Sequence, residues 1–322
     1  MADPEQQGEE SPRRNGRRRW VIGVLTVLAL VAVASAQPKV REHVTYWFEA
    51  QSDSPPVLGP ATVPPLADAP LVRFAVVGDV GTGEADEIAT ATAVDELEGT
   101  DEYDALLMLG DNVYEDGDPS QVDRTVFEPF ADVLDGPTEL LAVLGNHDVD
   151  NGHGDAQAAA LGMPARWYKS SFGDTLVVSL DSTRPDDPEQ LAWLTDTLAA
   201  SSATWKIATM HHPPYSGGYH GSSEDVRGAF SPLFERYGVQ LVLAGHDHDY
   251  QRSEVINGVT YVVSGGAARL RDTRKADFSV EAWSVFHFVD IAVWSDRLQL
   301  RAVDQAGDVF DEVVIPVRTS DG

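Results

Sequence analysis

Between residues 71 and 318, short apolar runs alternate with stretches of helical periodicity. The runs at 72–78, 105–109, 140–144, 175–181, 206–210 and 239–244 are rich in Val, Leu, Ile and Ala with little polar interruption, so they predict buried strands. Segments 84–98, 121–134, 188–200 and 224–237 repeat their apolar positions at helical spacing and predict the intervening helices. The pattern then changes, and 259–264, 284–293, 297–303 and 309–316 follow one another as strands. Alternating units followed by successive strands predict a mixed sheet pair with helices outside, an α/β sandwich.

Upstream the pattern is different. Residues 1–19 are polar and contain Arg13, Arg14, Arg17, Arg18 and Arg19, after which Trp20 to Ala36 carries no charge. That run lies at the lower limit for a spanning helix and above the usual apolar core of a signal peptide. We expect a single-pass anchor over 20–36; the alternative is secretion after cleavage near Ala34-Ser35-Ala36. Both place the remainder outside the cytoplasm, because the arginines stay inside. Residues 37–70 form a linker, with Pro55, Pro56, Pro60, Pro64, Pro65 and Pro70 keeping it extended, and the catalytic body spans 71–318.

Composition narrows the chemistry. With 322 residues and 43% hydrophobic content the chain can bury a full core. A formal charge of -29 opposes binding of nucleic acid or anionic lipid by the folded body. Any anionic ligand would have to be attracted locally, by bound cations. There is no cysteine, which excludes disulfides, thiolate metal sites and cysteine nucleophiles. Metal ions would need His, carboxylate, amide or phenolate ligands, a set suited to iron, zinc and manganese.

Four of the predicted strands end alike: Val76-Val77-Gly78-Asp79, Met108-Leu109-Gly110-Asp111, Val143-Leu144-Gly145-Asn146 and Leu243-Ala244-Gly245-His246. Each delivers a metal-competent side chain at its carboxyl end, where the preceding glycine permits unusual backbone angles and close approach of loops. A further strand runs directly into His211 and His212. One Gly-Asp after an apolar run is usually an ordinary turn. The set gains weight from Gly145-Asn146-His147-Asp148 and Gly245-His246-Asp247-His248, since two histidines at i and i+2 can reach two different metals from one loop.

These motifs, in this order, resemble the calcineurin-like metallophosphoesterases and, within them, the small tartrate-resistant purple acid phosphatases. Where most of the superfamily has a histidine two residues after the first aspartate, this chain has Gly81, and Tyr114 stands three residues after Asp111. That paired exchange resembles the purple acid phosphatase pattern. The resemblance implies a four-layer α/β/β/α sandwich with two mixed β-sheets. It also implies one ion held by Asp79, Asp111, Tyr114 and His248 and a second held by Asp111, Asn146, His211 and His246, with Asp111 bridging. Binding a phenol as phenolate calls for a strongly Lewis-acidic ion, so Fe(III) is expected beside Tyr114 and Fe(II), zinc or manganese at the other position. A hydroxide held by the two ions would attack phosphorus. His147 and His220 would contact the substrate phosphate and help protonate the leaving oxygen, as histidines titrating near pH 6 can. His212, His153, His287 and His43 are not assigned to metals. The expected activity is phosphate monoester hydrolysis, with a phosphodiesterase on nucleotide or lipid-headgroup diesters and a non-catalytic exported binding protein as rivals.

Overall fold

The computed structural model describes residues 66–99 and 101–318. The basic segment 1–19, the apolar segment 20–36 and the linker up to residue 65 lie outside the described residues. The described residues belong to one compact unit.

Two mixed sheets make up its centre. In the first, β1 (Val72–Val77), β2 (Ala105–Met108) and β3 (Glu139–Ala142) run parallel. The antiparallel series β11 (His287–Val293), β12 (Arg297–Asp304) and β13 (Val309–Pro316) extends the same sheet from the other side of β1. In the second, β5 (Thr175–Ser179), β6 (Trp205–Thr209), β7 (Leu241–Ala244) and β9 (Val259–Ser264) are parallel, flanked by β4 (Tyr168–Phe172), β8 (Tyr250–Ile256) and β10 (Ser279–Trp283).

Strand alternation sorts the apolar residues into three cores. Phe74, Val76, Leu107, Ile207, Leu241 and Val262 meet between the sheets. Ala75, Val77, Leu106 and Met108 point to the outer face, against Val94 of α1 (Ala85–Glu98). On the far side, Ala208 and Val242 pack with Leu194 and Leu198 of α5 (Pro188–Ala200) and with Val226, Phe230 and Phe234 of α6 (Glu224–Tyr237), spaced four apart along one helical face. Being covered on both faces is why these strands read as unbroken apolar runs. The four-layer arrangement follows.

One predicted helix is different. Segment 121–134 is a turn of 3₁₀ helix at Pro119–Gln121, a wider-wound turn at Asp123–Phe127 and α2 (Ala131–Leu134). Pro129 lacks an N–H and clashes with the preceding turn, which breaks a continuous helix there. The short helices α3 (Asn146–Val149) and α4 (Gly154–Ala160), and strands β4, β8 and β10, were not predicted by the pattern.

Candidate metal centre

Strand register sets the positions of the candidate residues. Val77 pairs with Met108, and Met108 with Ala142, so Asp79, Asp111 and Asn146 leave one sheet at neighbouring carboxyl ends. Thr209 pairs with Leu243 in the other sheet, which brings out His211 beside His246. The two rims are tied together. His246 N–H donates to Asp79 Oδ2 at 2.8 Å and Ala267 N–H to the Gly78 carbonyl at 3.3 Å, while Gly245 N–H to the His211 carbonyl at 3.0 Å continues the pairing within the second sheet.

The backbone angles are partly not where the sequence put them. Asp79, Asp111 and His246 themselves take positive φ, at 60°, 52° and 73°. For residues with a Cβ this costs on the order of 1 kcal/mol each, the kind of strain concentrated at functional sites. Gly145 and Gly245 serve close approach instead: a Cβ on either would collide with the carboxylate of Asp111 or of Asp79.

Seven donors converge in two groups. In the first, the Tyr114 hydroxyl lies 3.2 Å from Asp79 Oδ1 and 3.1 Å from His248 Nε2, and that nitrogen is 3.5 Å from Asp79. In the second, His211 Nε2 is 3.1 Å from Asn146 Oδ1, 3.2 Å from His246 Nδ1 and 3.5 Å from Asp111 Oδ1. Ligand atoms of Asp79, Asp111 and His211 all lie within 4.8 Å of one another, so Asp111 stands between the groups.

The chemistry of these donors fits cations. His211 Nδ1–H donates to the Leu109 carbonyl at 2.8 Å, so in the neutral ring Nε2 carries a lone pair. That lone pair faces the Asn146 oxygen and the Asp111 carboxylate with no proton to share, a repulsive arrangement unless a positive ion sits among them. Burial keeps His246 and His248 well below the usual histidine range, with the surrounding imidazoles adding to the effect at His246 and Arg271 at His248. Both rings are therefore neutral, and the approach of His248 Nε2 to Asp79 is not an ion pair. Asp79 is pushed up to about 7 by burial, with Asp111 adding to the rise and His211 opposing it. Tyr114 is held well above 10 by burial and by Asp79 and Asp111. A phenolate here requires a strong cation at the oxygen.

The two expected substrate histidines differ. His147 Nδ1 bonds the Glu115 carbonyl and its Nε2 lies 4.0 Å from Asp111. The ring of His220 lies 4.3 Å from that of His246, and its Nε2 is contacted by Nη1 of Arg271. An arginine only donates, so His220 accepts there and is neutral. Burial, then Arg271, lowers it to about 3. Of the two forms expected of such a histidine near pH 6, cationic or neutral donor, His220 as it stands takes the neutral one.

Of the remaining histidines, His212 lies closest to the centre: its ring is 4.9 Å from His211 and 4.6 Å from His246, and Nδ1 bonds Ser182. His153 bonds the Asp116 carbonyl, and His287 is buried against Ser264 and Val285. His43 lies outside the described residues. Sequence reading passed over Asp148, Asp247, Arg269 and Arg271. Asp148 accepts from Asn112, Val113, Gly145 and Gln157, locking two motif loops together. Its position inside the Gly-Asn-His-Asp motif was the available signal. The arginines follow β9 in a loop with no motif at all.

The Calcineurin-like phosphoesterase family pattern matches residues 72–250. Tartrate-resistant acid phosphatase type 5 of Homo sapiens is 32% identical over 254 residues, covering 65% of this chain and 77% of the human protein. Two solved structures share the fold. GAP50, described as the anchor in the inner membrane complex of Plasmodium, superposes with a TM-score of 0.69 at 19% identity, over 78% of this chain and 90% of that one. Purple acid phosphatase PPD1 from yellow lupin (Lupinus luteus) seeds gives 0.67 at 20% identity, over 76% and 53%.

Proposed function

This chain belongs to the calcineurin-like phosphoesterase family, in its purple acid phosphatase group, and from that premise we propose that it hydrolyses phosphate monoesters outside the cytoplasm. It is a dinuclear metal-dependent phosphoesterase. We assign Asp79, Asp111, Tyr114 and His248 to one ion and Asp111, Asn146, His211 and His246 to the other. The convergence of Tyr114, His248 and Asp79 within 3.1–3.5 Å carries this reading. A phenol held neutral by burial and by two carboxylates needs a strongly Lewis-acidic ion to bind as phenolate, for which Fe(III) is assigned, leaving Fe(II), zinc or manganese beside Asn146.

When bound, the ions supply Lewis acidity that activates water and neutralises phosphoryl charge. The chain's own groups do the rest. Asp111 would hold both ions, and its place is fixed by the His147 N–H, which donates to Oδ1 at 3.0 Å. His147 Nδ1–H donates to the Glu115 carbonyl, which leaves Nε2 as the nitrogen that takes up a proton to form the imidazolium and passes it to the leaving oxygen. His220, neutral and stacked near His246, orients the phosphoryl group. Comparing p-nitrophenyl phosphate with its bis-ester tests the reading: the monoester should be strongly preferred, and a preference for the diester would replace it with a phosphodiesterase.

Export rests on the Arg-flanked run Trp20 to Ala36. Among the described residues no helix is long and apolar enough to cross a membrane. Host fractionation should recover the protein in the extracytoplasmic fraction, membrane-held if the anchor is retained; an intact cytosolic product would refute export.

A further inference from the structure

Five other arginines whose side chains are at most one-fifth exposed each have a carboxylate within ion-pair distance. Arg73 and Arg301 share Asp290, Arg252 pairs with Asp311, Arg166 with Asp181, and Arg269 with Glu115 at 2.7 Å. Arg271 is the exception. It is 8% exposed, its Nε is buried without a hydrogen-bond partner, and among the described residues no carboxylate lies within 4.0 Å of its guanidinium. Its contacts are the neutral His220 Nε2 and the face of Tyr219, 4.8 Å away. A buried cation without a counter-charge is unfavourable, all the more telling in a chain with 52 acidic residues.

The position of this charge says what would complete it. Arg271 N–H donates to the His248 carbonyl at 2.9 Å, and its guanidinium is one imidazole away from His246. Asp247, which accepts from the His220 N–H, is the acidic group that feels this charge from beyond ion-pair distance, so an anion arriving at the metal centre is the counter-charge that can bond the guanidinium directly. We propose that Arg271 is a specificity-determining contact of this site, taking the second negative charge of a phosphate monoester dianion, which a diester lacks. The guanidinium exchanges its bond to His220 for a phosphoryl oxygen, and His220 is freed toward the same group. Planar guanidinium donors suit phosphate better than an ammonium does. This rests on the phosphoesterase reading above and explains a monoester preference from within this chain.

The test uses the metal-loaded protein and three readouts: kinetics on p-nitrophenyl phosphate, kinetics on bis(p-nitrophenyl) phosphate, and the inhibition constant of inorganic phosphate. Arg271→Gln should raise KM for the monoester and the phosphate constant together, by about 10- to 100-fold as expected for a charge-assisted hydrogen bond. The diester should lose less than about 3-fold in kcat/KM, since it lacks the charge the arginine takes. Equal losses on both esters with an unchanged phosphate constant would overturn the proposal. Circular dichroism and metal content report whether the variant is intact. If it does not fold, Arg271→Lys decides instead: it keeps the charge but loses the fork, so phosphate should bind about 3- to 10-fold more weakly, and an unchanged constant would overturn the proposal equally. A wild-type preference for the diester would sink the monoesterase reading, while the shift in the ratio would still decide the arginine.

Discussion

Asp79 and Asp111 leave parallel strands two and three residues beyond paired backbone positions, whereas His220 and Arg271 stand on loops between elements. The strand tips inherit their geometry from the sheet. The loops are held by side chains: Asp247 accepts from the His220 N–H at 2.7 Å and from the Ser216 hydroxyl, and Gln251 bonds the Gly217 N–H. The proposed metal donors are thus built on strand ends, and the groups proposed to face the substrate on loops whose positions depend on a few buried hydrogen bonds. On the proposed reading, reaction chemistry and substrate selection are carried by different parts of the molecule.

The largest effect should come from breaking the rigid half. Asp111→Ala removes the one carboxylate placed between both donor groups, so both ions should be lost and turnover should fall by about 10³-fold or more. Metal analysis of the purified variant checks this, and full occupancy would show that Asp111 does not bridge.

A smaller, selective effect separates the two histidines. His147→Ala should slow alkyl phosphates about 10-fold more than activated aryl phosphates, because protonation matters most for a poor leaving group. His220→Ala should slow both alike. The reverse ordering would return the proton donor to His220.

The legibility of the sequence follows the same division. Helix α5 was readable because Asp187 caps it, accepting from Glu189 and Gln190, with Pro188 opening the first turn. Helix α6 stops at Gly238, whose φ of 72° closes the end. The donors were readable because each follows an apolar run at a strand end. Strand β8 was not, because its polar residues are buried by partners far along the chain, such as Asp311 on Arg252. Arg271 was invisible for the same reason: what marks it is a missing counter-charge, a property of packing rather than of the chain.

The smallest effect sharpens the contrast from outside the site. Glu87 on α1 accepts from Thr82 and Gly83, and burial pushes its carboxyl up to about 8. In the unfolded chain it titrates near 4.5. Between those values the folded state keeps a proton that the unfolded state has lost, so stability falls as pH rises from about 4.5 to about 8. Glu87→Gln retains the acceptor and should flatten that decline, gaining on the order of 1–3 kcal/mol at pH 8 relative to pH 5. Denaturant unfolding at the two pH values measures it, and an unchanged slope would exclude Glu87 as its source.

The central claim, a dinuclear centre with a phenolate ligand, meets its most direct test in the visible spectrum and metal content of the purified protein and of Tyr114→Phe. The wild-type protein should hold two ions per chain and show a phenolate-to-iron charge-transfer band that colours it purple or pink. Tyr114→Phe keeps the ring and deletes the oxygen, so the band should vanish while the Asn146 side retains metal. A colourless wild-type enzyme, fully active with two zinc or manganese ions and indifferent to Tyr114→Phe, would contradict the account.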